Sequence, residues 1–227
     1  MMAATADDPP AAGIVTALYL RTKTLHVEAE RTGIFRDLLR GEASRDGYVL
    51  LLRNLLPAYL AMEQGLERHR DSAHLGPLAA YRLNRAAAIE ADLMELCGSR
   101  WNSQVPLLEA AELYANRIAK AAEGHGTRLI AHAYTRYLGD FSGGQILRRL
   151  LTRSLRLRRS ELSFYDFPRF PDLDALKSDY RRTLDRAGAQ LADAEAVVEE
   201  GAAAFSCNIA LSRAVQAAVA HGSATPA

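Results

Sequence analysis

Residues 129 to 151 read LIAHAYTRYLGDFSGGQILRRLL. Both ends of this stretch are apolar and helix-compatible, yet its middle holds Gly139, Gly143 and Gly144. An interior glycine costs a helix roughly 0.5 to 1 kcal/mol relative to alanine. Three of them cost on the order of 2 to 3 kcal/mol, a noticeable part of a domain stability of roughly 5 to 15 kcal/mol. Something should offset that loss. Gly139 and Gly143 stand four apart and so share one helical face, where they clear a strip of side chains and let a flat object touch backbone. Asp140 is the only ionisable group inside the strip. Close packing of a second helix, with Asp140 merely solvated, fits the same spacing equally well.

Working outward, the rest of the chain is also helical in pattern. From Ser44 to Arg70, Tyr48, Leu51, Leu52, Leu55, Tyr59, Met62 and Leu66 step by three and four along one face, with Ser44 as cap and Pro57 as a point for a kink. Further helices are predicted at about 14–31, 80–97, 106–123, 126–156, 172–187 (Asp172 as cap, Gly188 as stop) and 190–220. No strand alternation is convincing, and 41 alanines favour helix. The fold class is therefore all-α, a single-domain helical bundle over 14–220. Residues 1–13 read as a disordered leader and 221–227 as a flexible tail.

Composition bounds the function. With 28 Lys+Arg against 27 Asp+Glu the 227-residue chain carries a formal charge of +1, which gives no global pull toward nucleic acid or anionic membrane. No apolar run reaches the roughly 18 residues of a membrane span, so no anchor is expected. Cys97 and Cys207 form no CxxC and read as buried, reduced thiols of a cytoplasmic protein. A di-iron carboxylate bundle needs ExxH pairs, and the chain has none.

The segment AHAYTRYLGDFSGGQ (131–145) resembles the signature of the heme oxygenases, whose distal helix carries a GDxSGG element. TKTLHVEAE (22–30), Tyr59 with Glu63, FYDFP (164–168) and LKSDYRR (176–182) resemble further segments of that family, and the similarity runs from about 14 to 212. The resemblance implies heme held between a proximal helix and a kinked distal helix. It makes His26 the iron ligand, with Glu30 one turn later near the other ring nitrogen. It sets Gly139, Gly143 and Gly144 against the macrocycle and gives Asp140 proton delivery through ordered water, supported by Tyr59, Tyr114, Arg136 and Asn208. His132 receives no iron and reads as a packing or hydrogen-bonding residue; His69, His74, His125 and His221 read as surface residues. Tyr134, Lys177 and Arg181 match positions that hold the heme propionates. Tyr19 departs from the pattern, standing where many relatives have a lysine, and Phe141 stands where leucine is common. Phe205 reads as a heme-facing aromatic, although core packing explains it equally well.

The implied activity is oxidative opening of heme b, both substrate and cofactor, to biliverdin (the α isomer), with release of carbon monoxide and ferrous iron. It uses O2 and electrons from a ferredoxin, flavodoxin or flavin reductase. Between 148 and 159, Arg148, Arg149, Arg153, Arg156, Arg158 and Arg159 give a local +6 with no acid, read as the docking face for an acidic donor. Nucleic-acid binding is the rival use of that stretch, without a recognition motif to support it. The chain is expected to be a monomer or weak dimer. A non-catalytic heme-storage or heme-sensing protein is the alternative, since it needs His26 and the propionate cations but neither Asp140 nor the glycine strip.

Overall fold

The computed structural model describes residues 13–189 and 191–222, and among these every regular element is helical. In chain order the α-helices are α1 (Ile14–Arg31), α2 (Gly33–Arg40), α3 (Arg45–Arg68), α4 (Gly76–Ala79), α5 (Arg85–Cys97), α6 (Trp101–Gln104), α7 (Glu109–Ala121), α8 (Leu129–Ala133), α9 (Gly139–Ser154), α10 (Leu173–Gly188) and α11 (Ala194–Gly222). A π-helical turn, Tyr134–Leu138, joins α8 to α9. The leader expected at 1–13 lies outside the described residues except for Gly13. Of the tail expected at 221–227, His221 and Gly222 continue α11 and the rest lies outside them. No helix of the described residues is long and apolar enough to cross a membrane.

The apolar stripe predicted on the third segment forms the centre of the core. All seven of its side chains on α3 are no more than 5% exposed, and α3 packs against α5 and α7. Ser44 caps it, its hydroxyl accepting from the Gly47 amide at 3.0 Å, and Pro57 lies inside the helix. Asp172 likewise caps α10 through the Ala175 amide at 2.9 Å.

Several boundaries differ from the periodicity for local reasons. The helix expected at 80–97 begins at Arg85, because Arg82 and Asn84 take left-handed backbone (φ 46° and 47°) and break it from α4. The helix expected at 106–123 begins at Glu109. Asn54 holds the preceding residues in a loop by accepting from the Leu108 amide and donating to the Pro106 carbonyl. The helix expected at 126–156 starts after left-handed turns at Gly124 and Gly126, and the one expected from 190 starts at Ala194. Helix α2 was not anticipated. It is set off from α1 by Gly33 (φ 62°), where a Cβ would fall 2.4 Å from the Ser212 backbone carbon. His69 and His74 are not free surface residues: both are half-buried against carbonyls, of Ala122 and Ala187. Cys97 and Cys207 are half-buried rather than buried, and unbridged.

Helix α1 is seated in a groove between α10 and α11. Its first turn is capped from outside, the Val15 amide donating to Asp185 at 2.9 Å. Gly188 is the last helical residue of α10 rather than a left-handed stop, and its missing side chain admits Ile14: a Cβ there would stand 2.4 Å from the Ile14 Cβ. On α11, a Cβ at Gly201 would stand 2.5 Å from the end of Leu18.

These two glycines separate rigid from yielding contacts. Gly188→Ala should lower the unfolding free energy by roughly 1 to 2 kcal/mol, because overpacking against a fixed Cβ (about 1 to 3) outweighs the helix-propensity gain (up to about 1). Gly201→Ala, which meets only the mobile tip of Leu18, should lose less. Urea melts of the two variants check the order; a larger loss at Gly201 would refute it.

Candidate active site

The glycine-bearing helix is built in two registers. The π-helical turn inserts an extra residue per turn just before Gly139, a recognised cause of helix bending and a feature common at functional sites. Beyond it, Gly139 and Gly143 behave alike: a Cβ at either would meet nothing within 4 Å. Gly144 differs, since a Cβ there would approach the Tyr165 ring at 3.0 Å. So Gly144 answers a packing need, while the other two leave a bare strip. Tyr165 belongs to the FYDFP segment, which Arg85 and Asp92 pin behind the helix. Arg85 donates to the carbonyls of Phe164 and Asp166, and Asp92 accepts from the amides of Ser163 and Phe164. Phe141 packs edge-on to Phe167 and Tyr180 in the same layer.

Asp140 is buried, not solvated. The Tyr59 hydroxyl donates to its Oδ2 at 2.7 Å, and two guanidinium nitrogens of Arg136 donate to the Tyr59 oxygen at 3.0 and 2.9 Å. Arg136 also donates to Asn208 at 2.6 Å and stands 4.0 Å from Asp140. Burial pushes the Asp140 carboxyl up to about 6, against the opposing pull of Arg136 and the Tyr59 hydrogen bond. Burial works against the Arg136 charge too, but Tyr59 and Asp140 more than offset it and hold the guanidinium above its ordinary value. Tyr114 sits beside Arg136 with its hydroxyl buried and without a protein partner, and burial pushes it up to about 12. Five residues predicted from separate segments, Tyr59, Tyr114, Arg136, Asp140 and Asn208, thus meet in one place.

A second group gathers along α1. The His26 ring is more than half exposed, with Nδ1 3.6 Å from a Glu30 oxygen and its centroid 5.8 Å from that of Phe205. Phe205 belongs to a small apolar cluster with Ala29 and Ile209, packed by Leu25 and Tyr134. Tyr134 opens the π-helical turn, so this cluster ties α1 and α11 to the glycine helix. The Tyr134 hydroxyl lies near Thr22, Arg181 and Tyr19, and burial raises its pKa. Neither Lys177 nor Arg181 has an ion-pair partner among the described residues. Tyr19 is 59% exposed.

His132 is wholly buried and pairs through Nε2 with Glu200 at 3.0 Å, while Glu200 also takes two bonds from Arg117. Burial lowers the His132 pKa, and its pairing with Glu200 opposes that. This triad, like the supports Arg85 and Asp92, carried no signal in the sequence, because its members are far apart and of ordinary type. A cavity of about 490 Å3 lined by Leu60, Glu63, Leu78, Leu83, Asn84 and Tyr137 contains none of the predicted site residues.

The arginine stretch needs a correction. It is not a free +6: Arg148 and Arg159 share Asp166, and Arg158 is held by Glu161 and Glu95. Folding brings in acids that are distant or just beyond the run, leaving Arg149, Arg153 and Arg156 exposed and without ion pairs among the described residues.

Residues 12–214 match the family model described as heme oxygenase. Heme oxygenase 1 of Nostoc sp. is 35% identical over 197 residues, covering 86% of this chain and 83% of the relative. Heme oxygenase 1 of Homo sapiens is 35% identical over 208 residues, covering 90% and 72%. The crystal structure of heme oxygenase-1 from the cyanobacterium Synechocystis in complex with heme superimposes with a TM-score of 0.86 at 31% identity, covering 93% of this chain and 96% of that one.

Two stability measurements test this geometry. Gly139→Ala and Gly143→Ala should each stabilise the ligand-free protein by roughly 0.5 to 1 kcal/mol, since alanine is the better helix former and nothing obstructs its methyl group. Gly144→Ala should not, because Tyr165 must give way. The second concerns Asp140, whose folded-state pKa of about 6 exceeds its unfolded value. Keeping this carboxylate ionised in the folded state therefore lowers stability above pH 6, and the deficit shrinks as pH falls toward about 4. Asp140→Asn should be more stable than the parent at pH 8 by roughly 1 to 3 kcal/mol, with about a third of that difference left at pH 4.5 and none below about pH 3. A pH-independent difference between the two melts would contradict the assigned titration.

Proposed function

The chain belongs to the heme oxygenase family, and on that premise we propose how its own residues carry out the family's reaction. The protein is a heme oxygenase, and heme is its substrate. The observation that carries the residue assignment is the bare strip at Gly139 and Gly143. Among the described residues it is the one place where helix stability is given up and no protein atom takes the vacated space. The donor set fits heme as well: an exposed imidazole whose Nε2 has no partner among the described residues, and Lys177 and Arg181 without acid partners there.

In this reading His26 ligates the iron through Nε2, while Glu30 beside Nδ1 fixes the ring and keeps the imidazole a strong donor. Phe205 stands beside the imidazole with its ring tilted by 53°, and Tyr134, Lys177, Arg181 and Tyr19 hold the propionates. Tyr19 offers a hydroxyl where a cation is common, so it contributes orientation more than charge. Gly139 and Gly143 bring backbone to the opposite face, where heme supplies the site for O2. Asp140 holds the proton needed there. Its raised carboxyl pKa keeps it able to take and return a proton near neutrality, and Tyr59 and Arg136 fix its direction. Tyr114 and Asn208 complete that fixed set. Gly144 acts behind the helix, against Tyr165.

The remaining elements of the proposal are the α biliverdin isomer, electrons from a ferredoxin, flavodoxin or flavin reductase, and a cytoplasmic setting, which the two unbridged thiols support. Arg149, Arg153 and Arg156 are the cations left to attract an acidic donor, so donor-driven turnover should fall as salt is raised.

The decisive experiment mixes the protein with hemin and ascorbate in air and follows the Soret band. Its loss with growth of biliverdin absorption is expected, and chromatography of the product identifies the isomer. A band that persists indefinitely would leave a binding protein only. His26→Ala should abolish the histidine-ligated spectrum. Asp140→Ala should retain hemin while biliverdin yield drops by roughly 10²-fold, the scale of a lost proton-transfer group.

A further inference from the structure

Nine tyrosines are present, and six of them, Tyr48, Tyr59, Tyr114, Tyr137, Tyr165 and Tyr180, are no more than 2% exposed. Core packing alone does not account for this choice. The Tyr180 hydroxyl is buried without a protein hydrogen-bond partner, a desolvation cost that phenylalanine would avoid at the same volume. The rings are also ordered in space. Tyr59 lies 6.4 Å from Tyr137 between centroids, Tyr137 5.9 Å from Tyr180, and Tyr180 5.0 Å from Tyr81. This line begins at the hydroxyl bonded to Asp140 and ends at a half-buried ring in the loop after α4. Both end phenols are hydrogen-bonded to a carboxylate, and neither middle one is. Tyr59 donates to Asp140, and Tyr81 donates to Asp179 at 2.5 Å with Thr183 alongside. The Tyr81 bond and Arg182 hold Asp179 below the usual carboxylate range, so it stays ionised and able to accept.

We propose that Tyr59, Tyr137, Tyr180 and Tyr81 form a one-electron relay that carries oxidising equivalents from the heme pocket to the protein surface. The relay deepens the proposed function and rests on heme lying against Gly139 and Gly143. Its oxidant is heme oxidised by a peroxide when that oxidation is not spent on the macrocycle. One electron leaves Tyr59 for the oxidised heme and its phenol proton passes to Asp140. An electron from Tyr137 restores Tyr59 and the proton returns; Tyr180 restores Tyr137, and Tyr81 restores Tyr180. The Tyr81 phenol proton then passes to Asp179, and a neutral tyrosyl radical remains on Tyr81. An external one-electron reductant such as ascorbate returns the electron, and Asp179 returns the proton. Tyr137 and Tyr180 have no hydrogen-bonded carboxylate and only pass the charge on, so the radical rests at the ends.

The test treats hemin-loaded protein with hydrogen peroxide, freezes it for electron paramagnetic resonance, and in parallel maps nitroso spin-trap adducts by peptide mass spectrometry. A tyrosyl signal and an adduct on Tyr81 are expected. Tyr81→Phe should lose that adduct while biliverdin formation with ascorbate is unchanged. Asp179→Asn, which removes the proton acceptor, should weaken the adduct. Tyr180→Phe removes only an unpaired hydroxyl, should melt no lower than the parent, and should lose the Tyr81 adduct with the radical retained at Tyr59. An unlabelled Tyr81 in the parent, or undiminished labelling in Tyr180→Phe, would overturn the relay with hemin binding intact. Absence of hemin binding in a Soret titration would instead overturn the functional reading beneath it.

Discussion

Arg136 donates to the hydroxyl of Tyr59, and Tyr59 donates to Asp140. This short chain joins three elements whose positions the rest of the fold secures. A buried carboxylate and a buried guanidinium are tolerable only when their hydrogen bonds are met. The α3 stripe places Tyr59 at the bundle centre, the π-helical turn carries Arg136 and releases Asp140 in the right register, and α11 supplies Asn208 to the far side of the guanidinium. Removing any of these anchors would leave a charge without compensation in the core.

The same constraint explains the unusual helix above it. A regular α-helix with side chains throughout would fill the space beside Asp140. Glycine at 139 and 143 keeps that space clear, while Gly144, on another face, lets Tyr165 close behind. Stability lost in the strip is offset elsewhere, by the seven-residue stripe of α3 and by the pinning of FYDFP through Arg85 and Asp92. Helix α1 needs a different device. It carries His26 on an exposed face, so it is held from behind, by the Asp185 cap and by the close approach of Ile14 to Gly188.

Charge was the part of the sequence most altered by folding. A stretch with six arginines and no acid suggested an uncompensated surface, but Asp166, Glu161 and Glu95 arrive from outside it and pair with three of the six. Linear patterns report which charges are present and not which are neighbours. His132 shows the same limit. The resemblance assigns it no iron, but its burial beside Glu200, which Arg117 also holds, was not readable there.

The sequence by itself determined the helical class, the core face of α3 and the Ser44 and Asp172 caps, and its resemblance to the heme oxygenases named the residues of the candidate site. The first three rest on a period or a local cap, and those are properties of neighbouring residues. Tertiary structure decided the rest. It brought Tyr59, Arg136, Asp140 and Asn208 to hydrogen-bonding distance, divided the three glycines into two that are open and one that is packed, and turned Gly188 from a stop into a contact. It also inserted the π-helical turn and ordered the buried tyrosine rings. These depend on what a distant segment places against a residue, and no spacing along the chain encodes that.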